Sequence, residues 1–364
     1  MSTNVTSGSA VGRWLDPLLG QLPSLAVYDA HAHLGADCDG TVSDAADLAA
    51  SLGAISARAA VFALHVADGD YRADNDAVIA AARASSGQLT PFCRLNPHAD
   101  PASEGARAIA AGARGIKLHP RAEDFTLAHP AVEGIVALAH EHRMPVLIHA
   151  GRGIEPLGAD ALRLATRYPD ATLILAHAAI TDLAWLPAAL DDHPNVVFDT
   201  AWWNPVDLLA LFALVPPGRI LFGSDVPFGD PSLNALITLR CALEAGLTPE
   251  QVESVMGGQL ARVLAGERMA EIGPAPGCDR LRRELHLDRA LMYLAAVWGA
   301  ALSGGSPEEP LALARMALSV DDLHPHREIC DSALEALDLA APGLQGLTGV
   351  AVAACLLATP HVGA

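Results

Sequence analysis

The sequence predicts an α/β fold, a (β/α)8 TIM barrel followed by a helical C-terminal extension. Eight short apolar runs recur along residues 24–225, and each ends in a polar or glycine-rich segment. Stretches of about 12–20 residues with helical composition separate these runs. Eight strand–helix units over residues 24–266 match the size of about 250 residues typical of this barrel. A doubly wound open sheet is the competing architecture, but no GxGxxG motif follows the first run.

The apolar runs are typical of strands that are buried on both faces. They cover residues 24–33, 58–65, 89–96, 113–119, 145–151, 172–178, 195–200 and 219–225. Between them, segments such as SDAADLAASLGAISA and DALRLATRYP are predicted helices. Residues 248–266, TPEQVESVMGGQLARVLAG, form the predicted closing helix.

The chain divides into three predicted parts. Residues 1–23 form an N-terminal segment, and residues 24–268 form the barrel. A segment rich in Gly and Pro, residues 270–278, reads as a linker. Residues 279–364 carry helical periodicity without strand patterns, and their last apolar stretch, GLTGVAVAACLLATP, is expected to pack on the barrel or on a partner subunit.

The amino-acid composition and net charge narrow the classes of molecule that the protein could bind. With 51% apolar and 18% charged residues, the chain can bury a large core. The net charge of −19 argues against a nucleic acid or an anionic membrane as partner. The first residues lack a signal-peptide pattern, and six scattered cysteines form no CxxC pair. We therefore expect a cytoplasmic protein with reduced cysteines that serve as small buried hydrophobic residues.

Ionisable side chains end the predicted strands, where barrel enzymes carry their chemistry. His31 and His33 share one face of the first strand, because residues two apart on a strand point the same way. Two imidazoles so placed can bind one divalent metal ion. His149 supplies a third nitrogen from the fifth strand. Asp225, after the eighth strand, supplies a carboxylate that can bind metal and accept a proton from water.

The motifs DAHAH, IHAG, LAHA and FGSD, in this order, resemble the amidohydrolase superfamily. The resemblance covers residues 24–266 and is strongest to the amidohydrolase 2 branch, which contains aminocarboxymuconate-semialdehyde decarboxylase. It implies a metal, expected to be Zn2+, bound by His31, His33, His149 and Asp225. It also implies that His177 is a catalytic or metal-linked histidine. One metal ion is favoured, and two remain open.

Lys117 is the single lysine among the 23 basic residues of the chain. Arg cannot be deprotonated in practice, whereas a buried Lys can be. In binuclear members of the superfamily, a strand-four lysine is carboxylated and bridges two metals, with His149 and His177 shared between them. A contact between Lys117 and a substrate carboxylate is the other functional interpretation, and a structural lysine is the third.

Further side chains near the strand ends could line the pocket and orient a polar or carboxylated substrate. Besides Lys117, they are His119, Arg94, Arg152, His65, Asp199 and Trp202. For the five ionisable residues in this list, a purely structural contact is as plausible as a substrate contact, whereas for Trp202 a packing role is favoured.

The sequence predicts a metal-dependent hydrolase. Asp225 takes a proton from water, which attacks an amide, ester or lactone carbonyl of a small molecule, and His177 assists. Non-oxidative decarboxylation on the same site is the alternative. A metal-dependent nuclease is disfavoured by the charge of −19, and a non-catalytic binding protein by the complete ligand set. The Ala/Leu-rich C-terminal region suggests a homodimer.

Overall fold

The computed structural model describes residues 7–67, 69–339 and 347–362, with side chains described from residue 11 onward. It confirms the predicted α/β barrel with a helical C-terminal region. The strands are β1 (Tyr28–Ala36), β2 (Val42–Ser43), β3 (Arg58–Ala63), β4 (Leu89–Pro91), β5 (Cys93–Arg94), β6 (Ile116–Leu118), β7 (Pro145–Ile148), β8 (Thr172–Leu175), β9 (Val196–Asp199) and β10 (Ile220–Leu221).

The α-helices fall into a barrel set and a C-terminal set. The barrel set is α1 (Ser7–Gly20), α2 (Ala45–Gly53), α3 (Arg72–Ala84), α4 (Pro101–Ala111), α5 (Pro130–His142), α6 (Gly158–Arg167), α7 (Pro205–Leu214), α8 (Pro231–Glu244), α9 (Pro249–Glu253) and α10 (Gln259–Leu264). The C-terminal set is α11 (Leu285–Leu302), α12 (Glu308–Leu318), α13 (Arg327–Leu337) and α14 (Thr348–Ala358).

Eight parallel strands close the barrel. β4 and β5 are two parts of one barrel strand, interrupted at Phe92, and β2 is a short antiparallel addition to β1. The last strand meets the first through backbone hydrogen bonds. The Ala30 amide donates to the Phe222 carbonyl at 2.8 Å, and the Asp225 amide donates to the His31 carbonyl at 2.8 Å. This closure brings the ends of the first and eighth strands together.

The barrel interior is packed. Its apolar cluster comprises Tyr28, Ala30, Ala60, Phe62, Phe92, Leu147, Ile174, Ala176, Val197, Leu221 and Leu260. A larger cluster fills the layer between the strands and the surrounding helices. Because side chains fill the centre, the open ends of the strands are the place for a ligand site.

Two connections differ from the predicted strand–helix repeat. After β8 the structure has two 3-10 helices, His177–Ala179 and Leu186–Ala189, in place of an α-helix. The predicted closing helix is divided by a π-helical turn, Ser254–Gly258, between α9 and α10. A Cβ at Gly257 would lie 2.1 Å from the Ala26 carbonyl oxygen, so glycine permits this turn to pack against the chain entering β1.

The C-terminal helices pack on the barrel through α14, which contacts α7 and α8. As expected from its sequence, the last apolar stretch is buried there. The buried side chain of Arg240, on α8, donates to the carbonyl of Thr359 at 2.7 Å and so holds the end of α14 against α8. Among the described residues, no helix is long and apolar enough to span a bilayer.

The expectation that all six cysteines are buried is wrong for two of them. Cys38 and Cys278 are exposed, because each lies in a loop outside the packed layers.

Candidate active site

The imidazoles of the first strand meet the carboxylate that follows the eighth. Oδ1 of Asp225 lies 3.1 Å from Nε2 of His31 and 3.0 Å from Nε2 of His33. One donor atom each from His31, His177 and Asp225 lies within 4.8 Å of the others. The hydrogen bonds that close the barrel between β1 and the segment after β10 hold these groups in place.

His149 and His177 face each other across the same site, with His177 Nε2 3.0 Å from His149 Nδ1. The other nitrogen of each ring faces a backbone carbonyl, Ala201 for His177 and Arg152 for His149. Because a carbonyl only accepts, those nitrogens carry the hydrogens and the facing nitrogens present lone pairs. Burial lowers the pKa of both imidazoles, which disfavours an added proton. Two opposed lone pairs are suited to a nearby cation, so the residues present fit a metal ion.

Asp199 organises two of these histidines. Its Oδ2 lies 2.8 Å from His31 Nδ1, and its Oδ1 accepts the backbone N–H of His177 at 2.7 Å. Burial alone would raise the pKa of Asp199, but the charge of His31 and these hydrogen bonds lower it overall. The carboxylate of Asp199 therefore favours the tautomer of His31 that carries its hydrogen on Nδ1. With Nδ1 held by Asp199, Nε2 of the same ring faces Asp225.

The backbone of the site is strained. His177, Ala178 and Ala179 have φ values of 58°, 57° and 47°, and Asp225 has a φ of 59°. Such left-handed conformations cost non-glycine residues of order 1–3 kcal/mol each. Asp199 stabilises the first of these turns through the N–H of His177. Strain maintained in this way is typical of residues whose position serves function.

Lys117 is a fully buried residue of β6. Its Nζ lies 3.3 Å from His31 Nε2 and 4.6 Å from the ring centre of Phe62. Burial lowers the pKa of its ammonium group to about 7, the charge of Asp225 opposes this shift, and that of Arg94 adds to it.

Arg94 is engaged by protein groups. Its guanidinium donates to Oε1 of Glu123 at 2.6 Å and to the Ala63 carbonyl at 3.1 Å, and it lies over the ring of Tyr71. The side chains of Arg94 and Glu123 are each 1% exposed. The structure thus places Arg94 in a buried ion pair with Glu123.

The other predicted substrate residues differ in position. His119 stacks on His149 with ring centres 4.1 Å apart, and the ring of Trp202 lies 6.1 Å from that of His177. The side chain of Arg152 is exposed, although its carbonyl contacts His149. His65 lies two residues beyond β3 and contacts Cys38, away from the metal-ligand cluster.

Several residues of the site were not anticipated. Phe62 and Phe228 pack their rings against His33, at 4.6 Å and 5.6 Å between centres. Because successive side chains of a strand point to opposite faces, the position of Phe62 on β3 could have indicated that its ring points into the barrel. Glu123 and Tyr71, which bind Arg94, lie in loops whose sequence carries no periodic signal.

A cavity of about 760 Å³ lies at the barrel surface, and its described lining contains none of the clustered histidines. Its walls come from the two loops that follow β6 and β7, residues 120–129 and 153–160. Both loops follow strand ends of the barrel, and the cavity between them has room for a small molecule.

Comparison with known proteins supports the assignment from the motifs. The amidohydrolase family model matches residues 28–264. No protein with a curated description matches the sequence.

Solved structures share the fold at low identity. IDCase from Metarhizium anisopliae is 14% identical with a TM-score of 0.54, over 66% of this chain and 97% of that one. 5-carboxyvanillate decarboxylase from Sphingomonas paucimobilis is 14% identical with a TM-score of 0.51, over 66% and 99%. A dihydroxybenzoic acid decarboxylase from Polaromonas sp., solved with bound manganese, is 13% identical with a TM-score of 0.52, over 66% and 97%.

Proposed function

This chain belongs to the amidohydrolase family, and we propose that it is a metal-dependent hydrolase acting on the carbonyl of an amide, ester or lactone in a small polar substrate. The observation that carries the proposal is the position of Asp225. Its carboxylate contacts His31 and His33, whose side chains are 1% and 4% exposed, while Asp225 itself is 23% exposed. A buried nitrogen cluster with one carboxylate open to the mouth is suited to metal-assisted attack by water.

We propose that His31, His33, His149 and Asp225 hold one divalent ion. Imidazole and carboxylate donors suit Zn2+, and they also accept Mn2+, the metal of the Polaromonas structure. When bound, the ion supplies a polarised carbonyl and a water of lowered pKa.

The protein groups perform the proton transfers. Burial would raise the pKa of Asp225, but the charge of His31 and the hydrogen bonds from His31 and His33 hold that pKa well below the ordinary value. The carboxylate is therefore ionised, which is the form that a proton acceptor requires. His177 is fixed by its bonds to Asp199 and Ala201, and its Nε2 carries no hydrogen of its own. We assign it the relay to the leaving group of the proton that Asp225 takes from water.

Lys117 is assigned to the substrate. Its buried ammonium lies beside His31, where it can attract a negative oxygen of a substrate. Carboxylation of Lys117 with a second metal is the other arrangement. His119 and Trp202, whose rings contact His149 and His177, complete the proposed binding surface.

Non-oxidative decarboxylation is the second candidate, and it is favoured by the fold neighbours, which include the Sphingomonas and Polaromonas decarboxylases. That reaction needs a cation for the substrate carboxylate, and in this alternative Lys117 provides it. We place hydrolysis first because an ionised Asp225 suits the acceptance of a proton from water better than the donation of a proton to carbon.

Metal analysis by inductively coupled plasma mass spectrometry, paired with a substrate panel, tests the proposal. We expect about one ion per chain and its loss, together with activity, in His33→Ala. The exposed His142→Ala is the matched control and should change neither quantity. Turnover of esters or lactones would support hydrolysis, whereas carbon dioxide release from hydroxybenzoates would establish the second candidate. Failure to bind metal on reconstitution would overturn both.

Cytoplasmic residence and a homodimer remain proposals. The six cysteines are free thiols, as expected in a reducing compartment. Large apolar side chains are exposed on or beside the C-terminal helices, among them Leu285, Met292, Met316 and Leu323. Sedimentation equilibrium would test self-association, and a monomer at all concentrations would contradict it.

A further inference from the structure

A second group of metal-ligand side chains lies at the rim of the barrel, outside the active site. Asp37 and Cys38 follow β1, and His65 follows β3. Sγ of Cys38 lies 3.0 Å from Nδ1 of His65 and 3.5 Å from Oδ1 of Asp37. One donor atom from each of the three lies within 4.8 Å of the others.

The backbone positions these donors before any ligand arrives. The Cys38 amide donates to the His65 carbonyl at 2.9 Å, and the His65 amide donates to Oδ2 of Asp37 at 3.2 Å. The Asp37 amide in turn donates to the Thr41 carbonyl at 2.7 Å, which closes the turn between β1 and β2. Two separate loops are therefore fixed to each other at the point where the three side chains meet.

The chemistry of the group matches a borderline-soft cation. A thiolate, an imidazole and a carboxylate are the three kinds of side chain that Zn2+ uses most. Cys38 is exposed, so a cation can reach it from solvent. The neighbouring Asp37 and Asp39 carboxylates make the region negative, which opposes a free thiolate but attracts a divalent ion.

We propose that Asp37, Cys38 and His65 form a second divalent-metal site, with Zn2+ as the expected ion and a fourth position open to water or another ligand. Binding converts the thiol to a thiolate and releases its proton to solvent. The site joins the turn after β1 to the end of β3. It does not depend on the proposed hydrolase function, because its donors are separate from those of the active-site cluster.

Cobalt titration provides a readout specific to this site. Co2+ replaces Zn2+ in such sites, and a cobalt–thiolate bond absorbs in the near ultraviolet. The proposed active-site ligands include no cysteine, so this absorption reports on the rim site alone. We expect chelator-treated wild type to develop the band, Cys38→Ser to lose it, and His65→Ala to bind Co2+ at least about tenfold more weakly.

Two control variants separate the alternatives. Cys278→Ser removes the other exposed cysteine and should keep the band. His33→Ala disrupts the active site and should also keep it, which distinguishes this inference from the proposed function. Circular dichroism checks that each variant is folded. Absence of the band in wild type, or its persistence in Cys38→Ser, would overturn the proposal.

Discussion

Nδ1 of His31 lies 2.8 Å from Oδ2 of Asp199, and both side chains are buried. The two residues are 168 positions apart in sequence and lie on the first and seventh barrel strands. A carboxylate behind a ligating imidazole fixes its tautomer and raises its basicity. The sequence predicts Asp199 as a substrate-binding residue; from its contact with His31 we propose that it positions this imidazole.

Replacing Asp199 by Asn should weaken metal binding without unfolding the protein. Asn has nearly the same size, but it removes the charge that orients His31, and loss of such a partner typically costs about 10–100-fold in affinity. Competition titration against a chelator measures the change. Asp207→Asn is the matched control, because Asp207 binds Trp202 and Asn204 instead of a proposed ligand. Equal affinities of wild type and Asp199→Asn would refute the positioning role.

The substitution Asp225→Asn should separate binding from catalysis. An amide oxygen can still contact a metal ion, but it cannot accept the proton of the attacking water. We expect turnover to fall by about 10²–10⁴-fold, while the metal content falls only in part. Steady-state kinetics and metal analysis on the same preparation measure both quantities. A variant with full activity would exclude Asp225 as the base.

The stability of the metal-free protein should depend on pH through Lys117. Burial lowers the pKa of this lysine to about 7 from the ordinary 10.5. Between these values the unfolded chain holds a proton that the native state lacks, so native stability rises with pH in this window.

A comparison of wild type with Lys117→Met isolates this contribution. Met has a similar length and no charge, so the difference in unfolding free energy, wild type minus variant, should increase from pH 7 to pH 10.5 by up to about 1.4 kcal/mol per pH unit. Urea denaturation at several pH values provides the measurement. A difference that is constant or decreases with pH would contradict the prediction.

The C-terminal region should be energetically coupled to the loop that precedes α7. Trp203 of that loop stacks on Trp298 of α11, with ring centres 4.6 Å apart and an angle of 21° between the planes. Aromatic pairs of this kind contribute about 0.5–1.5 kcal/mol beyond buried area. A double-mutant cycle of Trp203→Ala and Trp298→Ala, followed by urea unfolding, should return a coupling energy in this range. Additive effects would show that the stack is unimportant.

The sequence by itself determined the fold class and the positions of the proposed metal ligands along the strands. Apolar runs and polar ends are local patterns, because a strand buried on both faces must be apolar throughout its length. His31 and His33 sit on one strand with a spacing of two, so their common direction is a local property as well.

The alternation of side chains along β1 is nevertheless irregular at one point. The pairing of β1 with β3 shifts register between Asp29 and Ala32. Asp29 consequently bonds to the backbone amides of His31 and Ser224 from a fully buried position. A bulge of this kind depends on how two strands fit, and the sequence of one strand does not specify it.

The tertiary structure decided which polar side chains meet. Arg94 stands at a strand end as predicted, yet Glu123, from a loop after β6, occupies its guanidinium. His65 likewise follows its strand, but it meets Cys38 at the rim instead of joining the histidine cluster. These outcomes depend on distances of a few ångströms between segments far apart in sequence. Barrel closure and loop packing set such distances, whereas strand periodicity specifies only the direction of each side chain.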